Sequence, residues 1–231
     1  MPGNSPGELA LLGRDVRQRS VVPPERLAAC HALVVGVGAV GRQLALQLAA
    51  VGVPRLTLFD DDHVAAENLA PQGYWAEDLG LLKVQATAAL CRRLLPTLHV
   101  EARPEKFRRA TAGQVDWGPQ LCVFAAVDSI GARRMLWEAL HPQAVFWADG
   151  RLSAEVVRVI ALALPEGEAV YPRTLFAQAE AYVGSCTARA TVYAASIAAG
   201  LMVAQWAKWL RGLPVEPDLS LNLLAAELTP L

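Results

Sequence analysis

Along this chain, short apolar runs alternate with longer stretches in which apolar and polar residues recur at helical spacing. The short runs predict strands at 33–36, 56–60, 100–103, 121–127, 145–148 and 156–164; the one at 121–127 is apolar throughout, as a buried parallel strand should be. The longer stretches predict helices at 41–51, 83–95, 132–140 and 188–210. Strand and helix alternation of this kind predicts an α/β fold with a doubly wound, mostly parallel sheet of Rossmann type. Residues 9–22 alternate apolar groups with Arg14, Asp15, Arg17, Gln18 and Arg19, after which Pro23 and Pro24 stop one helix and open another. Two segments break the pattern: 61–82 is mostly polar and carries Pro71 and Gly73, and 166–185 is irregular by composition. We read one domain over 1–231, with an N-terminal arm at 1–30, a core at 31–150 and an elaborated C-terminal half at 151–231.

The first strand runs into Gly36-Val37-Gly38-Ala39-Val40-Gly41, a helix and a second strand that ends on Asp60-Asp61-Asp62. That order is the fingerprint of a nucleotide pocket. Gly36 is expected to make the tight turn, Gly38 to let backbone approach a phosphate, and Gly41 to let the helix pack close to the strand. Phosphate would sit on the free amide groups at the helix N-terminus. Asp60, about 20 residues beyond the glycines, is placed to accept hydrogen bonds from ribose hydroxyls. Asp61 reads as a solvated turn residue.

Net charge is −1 and Lys and Arg form no run, which gives no electrostatic reason to expect nucleic acid or a membrane surface. The most apolar run, 192–207, is interrupted by Ser196, Gly200 and Gln205 and falls short of a membrane span, so a buried or dimer-facing helix is expected. Cys30, Cys91, Cys122 and Cys186 lie far apart without a CxxC pair, which argues against a disulfide framework or a zinc site and fits a reducing, cytoplasmic setting. Cys30, Cys91 and Cys122 read as core. The Pro-, Gly- and Ser-rich start lacks the basic and apolar regions of a secretory signal and reads as a frayed tail.

Read together, Arg14-Asp15-Val16-Arg17-Gln18, the glycine turn, Asp60-Asp61-Asp62, Asn68-Leu69, the step from Gly80 to Lys83 and Ala126-Val127-Asp128-Ser129 resemble, in this order, the ThiF/MoeB/HesA adenylyltransferases, prokaryotic relatives of ubiquitin-activating enzymes. The resemblance is close over 11–149 and looser over 186–210. It implies binding of ATP with Mg2+ and adenylation of the C-terminal glycine of a small ubiquitin-like or sulfur-carrier protein, with release of pyrophosphate, by a homodimer. It also implies roles. Asp60 or Asp62 would hold the ribose, Lys83 the phosphates, and Asp128 the magnesium; Asn68 belongs to the same nucleotide-binding set. Arg14 and Arg17 match an arginine pair that reaches the triphosphate from the partner subunit. Such roles suit the chemistry, because a carboxylate attacking an α-phosphate needs cations around the charge that builds there.

Two features depart from the family pattern. Where many relatives carry Asn-Leu-x-Arg-Gln, this chain has Asn68-Leu69-Ala70-Pro71-Gln72, so an arginine is absent, and the step from Asn68 to Lys83 is one residue short. Arg151, Arg158 and Arg189 are the candidates to replace it. The zinc-holding CxxC pairs are also missing, so no metal beyond magnesium is expected. Cys186, in Gly184-Ser185-Cys186-Thr187 ahead of the last helix, stands where the family carries a relay cysteine; a thiol there is either an activated nucleophile or core filling. The adenylate would serve sulfur transfer or conjugation by a separate conjugating enzyme. The competing readings are an adenylating dehydratase acting on a transfer-RNA nucleoside carboxylate, a nicotinamide-dependent oxidoreductase, and a nucleotide-binding protein without catalysis.

Overall fold

The computed structural model describes residues 13–176 and 190–231. Eight strands form one sheet in the order β3-β2-β1-β4-β5-β6-β7-β8. They are β1 (His31–Val35), β2 (Arg55–Phe59), β3 (His99–Arg103), β4 (Leu121–Ala125), β5 (Ala144–Ser153), β6 (Val156–Ala163), β7 (Asp218–Asn222) and β8 (Glu227–Pro230). The first five pair in parallel, and the last three extend the β5 edge antiparallel. The central strands β1 and β4 are buried at every position, because helices cover both faces.

The helices are α1 (Pro24–Leu27), α2 (Ala39–Val51), α3 (Ala66–Gln72), α4 (Lys83–Leu94), α5 (Arg109–Ala112), α6 (Ile130–Leu140) and α7 (Val192–Leu210), with 3-10 turns at Ala76–Asp78, His141–Gln143 and Tyr171–Thr174. Alternation along β1 divides the core. Ala32 and Val34 face a cluster with Leu44 and Leu48 of α2, Val84 and Cys91 of α4, and Met202 and Trp206 of α7. Leu33 and Val35 face the other side, with Leu136 and Trp137 of α6 and with Trp147 and Tyr171. No helix among the described residues is long and apolar enough to cross a membrane.

The predicted parallel strands and their helices are present, most of them shifted by one to three residues at an end. Four readings need correction. The 61–82 stretch is not simply broken: it folds α3, with Pro71 inside it, and a 3-10 turn. Strand β4 stops at Ala125, two residues early, so Val127 belongs to the loop that follows. Strand β5 runs ten residues rather than four, because β6 folds back on it as a hairpin from Phe146 to Ser153. The β7–β8 hairpin went unread: β8 is exposed at every position and so shows no apolar pattern.

Candidate active site

Strand order turns back between β1 and β4: the chain leaves β1 for β2 and β3, then returns to β4 on the other side of β1. In such sheets the crevice beyond the carboxyl ends of the strands at this point takes ligands. The glycine turn leaves β1 here and Ala126-Val127-Asp128 leaves β4, and the two touch. A Cβ placed on Gly36 would lie 2.6 Å from the Ala126 carbonyl oxygen, and Gly36 adopts φ +87°, so both space and backbone conformation require glycine. A Cβ on Gly41 would lie 1.8 Å from the Gly36 carbonyl oxygen, which is how α2 comes to pack against the end of β1. Gly38, the N-cap of α2, differs. Nothing lies within 4 Å of where its Cβ would be, and the backbone is open at the helix end where peptide N–H groups lack partners. This cradle fits a phosphate group by shape and by donor set.

Asp60 braces the turn. Its Oδ2 accepts from the Val37 N–H at 2.6 Å and its Oδ1 from the Asp62 N–H at 2.9 Å. Burial pushes its pKa above the usual carboxylate value, and the two backbone N–H groups and Lys83 oppose that shift. A carboxylate has about four acceptor positions, so two remain for hydroxyl donors. Lys83 opens α4 with its side chain only 7 % exposed; Nζ donates to Asp62 Oδ2 at 2.8 Å, and its backbone N–H donates to the Asp62 carbonyl at 2.9 Å. An ammonium has three donors, so two are left over. Asp60, Asp61 and Asp62 bring their carboxylate oxygens within 4.8 Å of one another, and Asp61 sits 3.7 Å from Lys106. Asp128 is exposed, immediately before Ser129, whose hydroxyl caps α6 by accepting from the Ala132 N–H at 3.1 Å. Asn68 works locally as well: its Oδ1 accepts from the Ala65 N–H at 3.0 Å, fastening the start of α3.

Other sequence candidates sit elsewhere. Arg14 lies against the C-terminal end of α2, where its guanidinium donates to the Ala49 and Ala50 carbonyls and pairs with Asp15 at 2.7 Å. That is a helix cap, a helix length of about 20 Å from the glycine turn. Arg17 is exposed. Arg151 donates to Asp149 and to Thr174, and Arg158 grips Asp218 with two bonds of 2.9 and 2.6 Å, so neither stands in for the arginine absent at position 71. Arg189 and Cys186 lie outside the described residues. Cys30, Cys91 and Cys122 are fully buried, as core residues should be, and burial pushes the Cys91 thiol up to about 12.

Sequence reasoning missed two groups. Asp149, at 0 % exposure, accepts from Arg133 Nε at 2.8 Å, Arg151 Nε at 2.8 Å and the Tyr171 hydroxyl at 3.0 Å, tying the middle of β5 to α6 and to the Tyr171–Thr174 turn. Arg42 and Tyr74 form the second. Tyr74 is buried, donates its hydroxyl to the Val37 carbonyl at 2.8 Å and bonds Thr87 at 3.2 Å, while the Arg42 guanidinium lies 4.6 Å over its ring. The available signal was a charged residue directly after the third glycine and an aromatic in a polar stretch.

A Rossmann-like sheet with an open glycine turn, a half-buried acid behind it and a buried lysine beside it defines an α/β protein with a crevice whose shape and donor set suit a phosphate group. The ThiF family model matches residues 13–229, and the chain belongs to that family. Among curated proteins it is 42 % identical over 117 residues to "Adenylyltransferase and sulfurtransferase MOCS3" of Bos taurus, covering 46 % of this chain and 26 % of that protein. It is 34 % identical over 112 residues to the SAMP-activating enzyme E1 of Haloferax volcanii, covering 48 % and 41 %. The chain therefore spans less than half the length of these relatives. Among solved structures, selenomethionine PaaA aligns with a TM-score of 0.74 at 20 % identity, over 99 % of this chain and 84 % of that one. The Escherichia coli tRNA N6-threonylcarbamoyladenosine dehydratase aligns at 0.67 and 18 %, over 88 % and 96 %. These likenesses establish the shared fold.

Proposed function

We propose that this chain uses ATP with magnesium to adenylate the C-terminal glycine carboxylate of a small ubiquitin-like or sulfur-carrier protein, releasing pyrophosphate. The observation that carries the reading is the glycine turn, open at Gly38 and braced by Asp60, with Lys83 paired to the neighbouring Asp62 and the loop that leads to Asp128 lying against Gly36. The relatives named as an adenylyltransferase and as a SAMP-activating enzyme supply the reaction class. Asp60 would receive the ribose hydroxyls. Lys83, already aligned by Asp62, would turn its remaining donors to phosphate oxygens. Asp128 offers a hard oxygen ligand at the mouth of the crevice, which suits Mg2+ held by one or two carboxylates and the phosphates themselves. The incoming carboxylate oxygen bonds to the α-phosphorus as the bond to the bridging oxygen breaks, and pyrophosphate leaves with that oxygen's electron pair. Cations around the crevice offset the charge that accumulates.

Arg14 is committed to the end of α2 in its own chain, so a role across a homodimer falls to Arg17, presented by the segment that Arg14 anchors. Cys186 is the proposed acceptor if the adenylate passes to a thiol of this chain. Residues 1–30 and 151–231 would then serve dimer formation and partner docking.

ATP–pyrophosphate exchange, measured with a panel of small proteins ending in Gly-Gly, tests the reading. Exchange that depends on one of them, and is abolished by Asp128→Ala in a folded protein, is the expected result. Mixing Arg17→Ala with Asp128→Ala chains should restore part of it, since one composite site is then whole. No exchange with any carrier, despite ATP binding, would refute the reading. Exchange driven instead by a transfer-RNA nucleoside carboxylate would favour the dehydratase reading, which draws on the near-complete coverage of the Escherichia coli enzyme's fold.

A further inference from the structure

Arg42 has a burial that its partners do not explain. It follows Gly41 in the first turns of α2 and is 4 % exposed. Its Nε is buried with no hydrogen-bond partner, and among the described residues its guanidinium forms no ion pair with a carboxylate. An arginine stays charged in a protein, and a buried cation that no carboxylate pairs is costly to keep out of water. Its stacking on Tyr74 is a weak interaction and offsets only part of that penalty. Desolvation by burial draws its pKa below the usual arginine value, and the charge of Asp78, which forms no ion pair with it, opposes that shift only in part.

Its surroundings say which anion. Helical side chains tilt toward the helix N-terminus, so Arg42 leans toward the end of α2 where the glycine turn opens. Tyr74, beneath the guanidinium, donates its hydroxyl to the carbonyl of Val37 within that turn and contacts the Lys83 carbonyl at 3.5 Å. Gly73, which ends α3, adopts φ +73°, and a Cβ there would lie 3.1 Å from Gln43 Nε2, 3.3 Å from Val192 Cγ2 and 3.4 Å from Arg42 Nη1, so the end of α3 packs directly against this part of α2. Two residues earlier stands Pro71, in the place where the family resemblance puts an arginine.

We infer that Arg42 is an anion-binding residue of the nucleotide site, its guanidinium reaching the phosphate chain from α2 in place of the cation that α3 lacks at Pro71. This rests on the proposed ATP reading of the crevice. A guanidinium offers paired, planar donors to a phosphate, so lysine is a poor replacement despite its charge.

The test uses the full chain as wild type, Arg42→Met and Arg42→Lys. ATP affinity is read by calorimetry, adenosine binding by ligand-observed NMR, and the thermal shift produced by inorganic tripolyphosphate by scanning fluorimetry. Arg42→Met is expected to weaken ATP by about 10- to 100-fold, the range for a lost hydrogen bond to a charged group, to abolish the tripolyphosphate shift, and to leave adenosine binding unchanged. Arg42→Lys should fall between. Unchanged ATP affinity in Arg42→Met overturns the inference. So does an equal loss for ATP and adenosine, which marks Arg42 as a brace for Tyr74. A wild-type protein that binds neither ATP nor tripolyphosphate overturns the nucleotide reading itself, a result separate from either variant's behaviour.

Discussion

Gly38 and Gly41 stand three residues apart in one motif, and the structure predicts opposite consequences for adding the same methyl group to each. At Gly41 the new carbon would meet the Gly36 carbonyl oxygen at 1.8 Å, the Gly36 carbonyl carbon at 2.9 Å and Ala126 Cβ at 3.2 Å. Real Cβ atoms keep at least 3.0 Å, so the backbone must open by 1.2 Å or more (3.0 less 1.8 Å). The atoms in the way are backbone at the junction of β1 and α2, with no flexible side-chain end to swing aside. Overpacking of this kind costs about 1–3 kcal/mol and sometimes more, and the size of the shortfall puts Gly41→Ala at the upper end. For a protein of this size each kcal/mol moves the melting temperature by roughly 2–4 °C, so a fall of about 6–12 °C is expected.

At Gly38 the methyl would enter open space, and φ is −79°, a value any residue adopts. Gly38→Ala should therefore melt within about 2 °C of wild type, in line with surface substitutions. Its effect belongs to the ligand. The methyl fills the ground over which a phosphate must approach the helix N-terminus, so ATP affinity should drop by 10-fold or more while adenosine binding is retained. Thermal unfolding without nucleotide and calorimetric titration with ATP separate the two effects. A Gly38→Ala protein that binds ATP as tightly as wild type would show that no phosphate lies over Gly38, and the reading of the crevice would fail with it. A Gly41→Ala protein with an unchanged melting temperature would refute the argument from close packing.

Other expectations follow from single residues. Asp149→Ala leaves Arg133 buried beside an empty position and should lower stability by about 3–5 kcal/mol, read from the urea midpoint, and adding Arg133→Met should recover part of it. A loss below about 1 kcal/mol would mean that the network is not holding β5 to α6. His31 is buried between the Trp117 carbonyl and the Thr57 hydroxyl, and desolvation holds its pKa below the ordinary imidazole value of about 6.5. The unfolded chain then takes up the proton first as pH falls, so this contribution is complete above about pH 6.5 and declines below it. His31→Gln should flatten that part of the stability–pH curve while lowering it overall, and an unaltered slope would assign the acid sensitivity to other groups. Lys83→Met should weaken ATP about 10- to 100-fold and leave adenosine binding alone, given that its amine is held in place by Asp62. Equal losses for both ligands would mark it as a structural residue.

What the sequence made legible, and what it hid, divides along the range of the interactions involved. The three glycines could be assigned separate duties because each duty is local: a turn at Gly36, an opening at Gly38, a contact between adjacent elements at Gly41. Asp60 was legible for the same reason, since the βαβ unit brings the end of β2 beside the turn after β1, and the observed bond from Val37 N–H to Asp60 is that geometry. The parallel strands announced themselves through apolar runs, which burial on both faces requires. The β8 edge strand is exposed and needs no such run. Pro71 argued for a break, yet the chain accommodates it near the end of a seven-residue helix, where few backbone bonds are left to lose.

Arg14 and Arg42 show the limit most directly. Arg14 lies in an arginine pair that the family resemblance sends to the triphosphate of a partner subunit, and within its own chain it caps α2. Arg42 sits one position beyond the most conspicuous motif in the chain and resembles, in one dimension, any polar residue on a helix surface. Only the packing of Gly73 and Tyr74, which follow α3, makes it a buried cation. A positive charge can be shifted from one element to another that packs beside it without changing the field at the phosphates, because that field depends on distance and burial, whereas sequence position sets only which helix carries the charge. The arginine missing at position 71 is therefore a poor guide to whether the crevice can neutralise a triphosphate. The charge on Arg42, buried and in no ion pair among the described residues, is the better one.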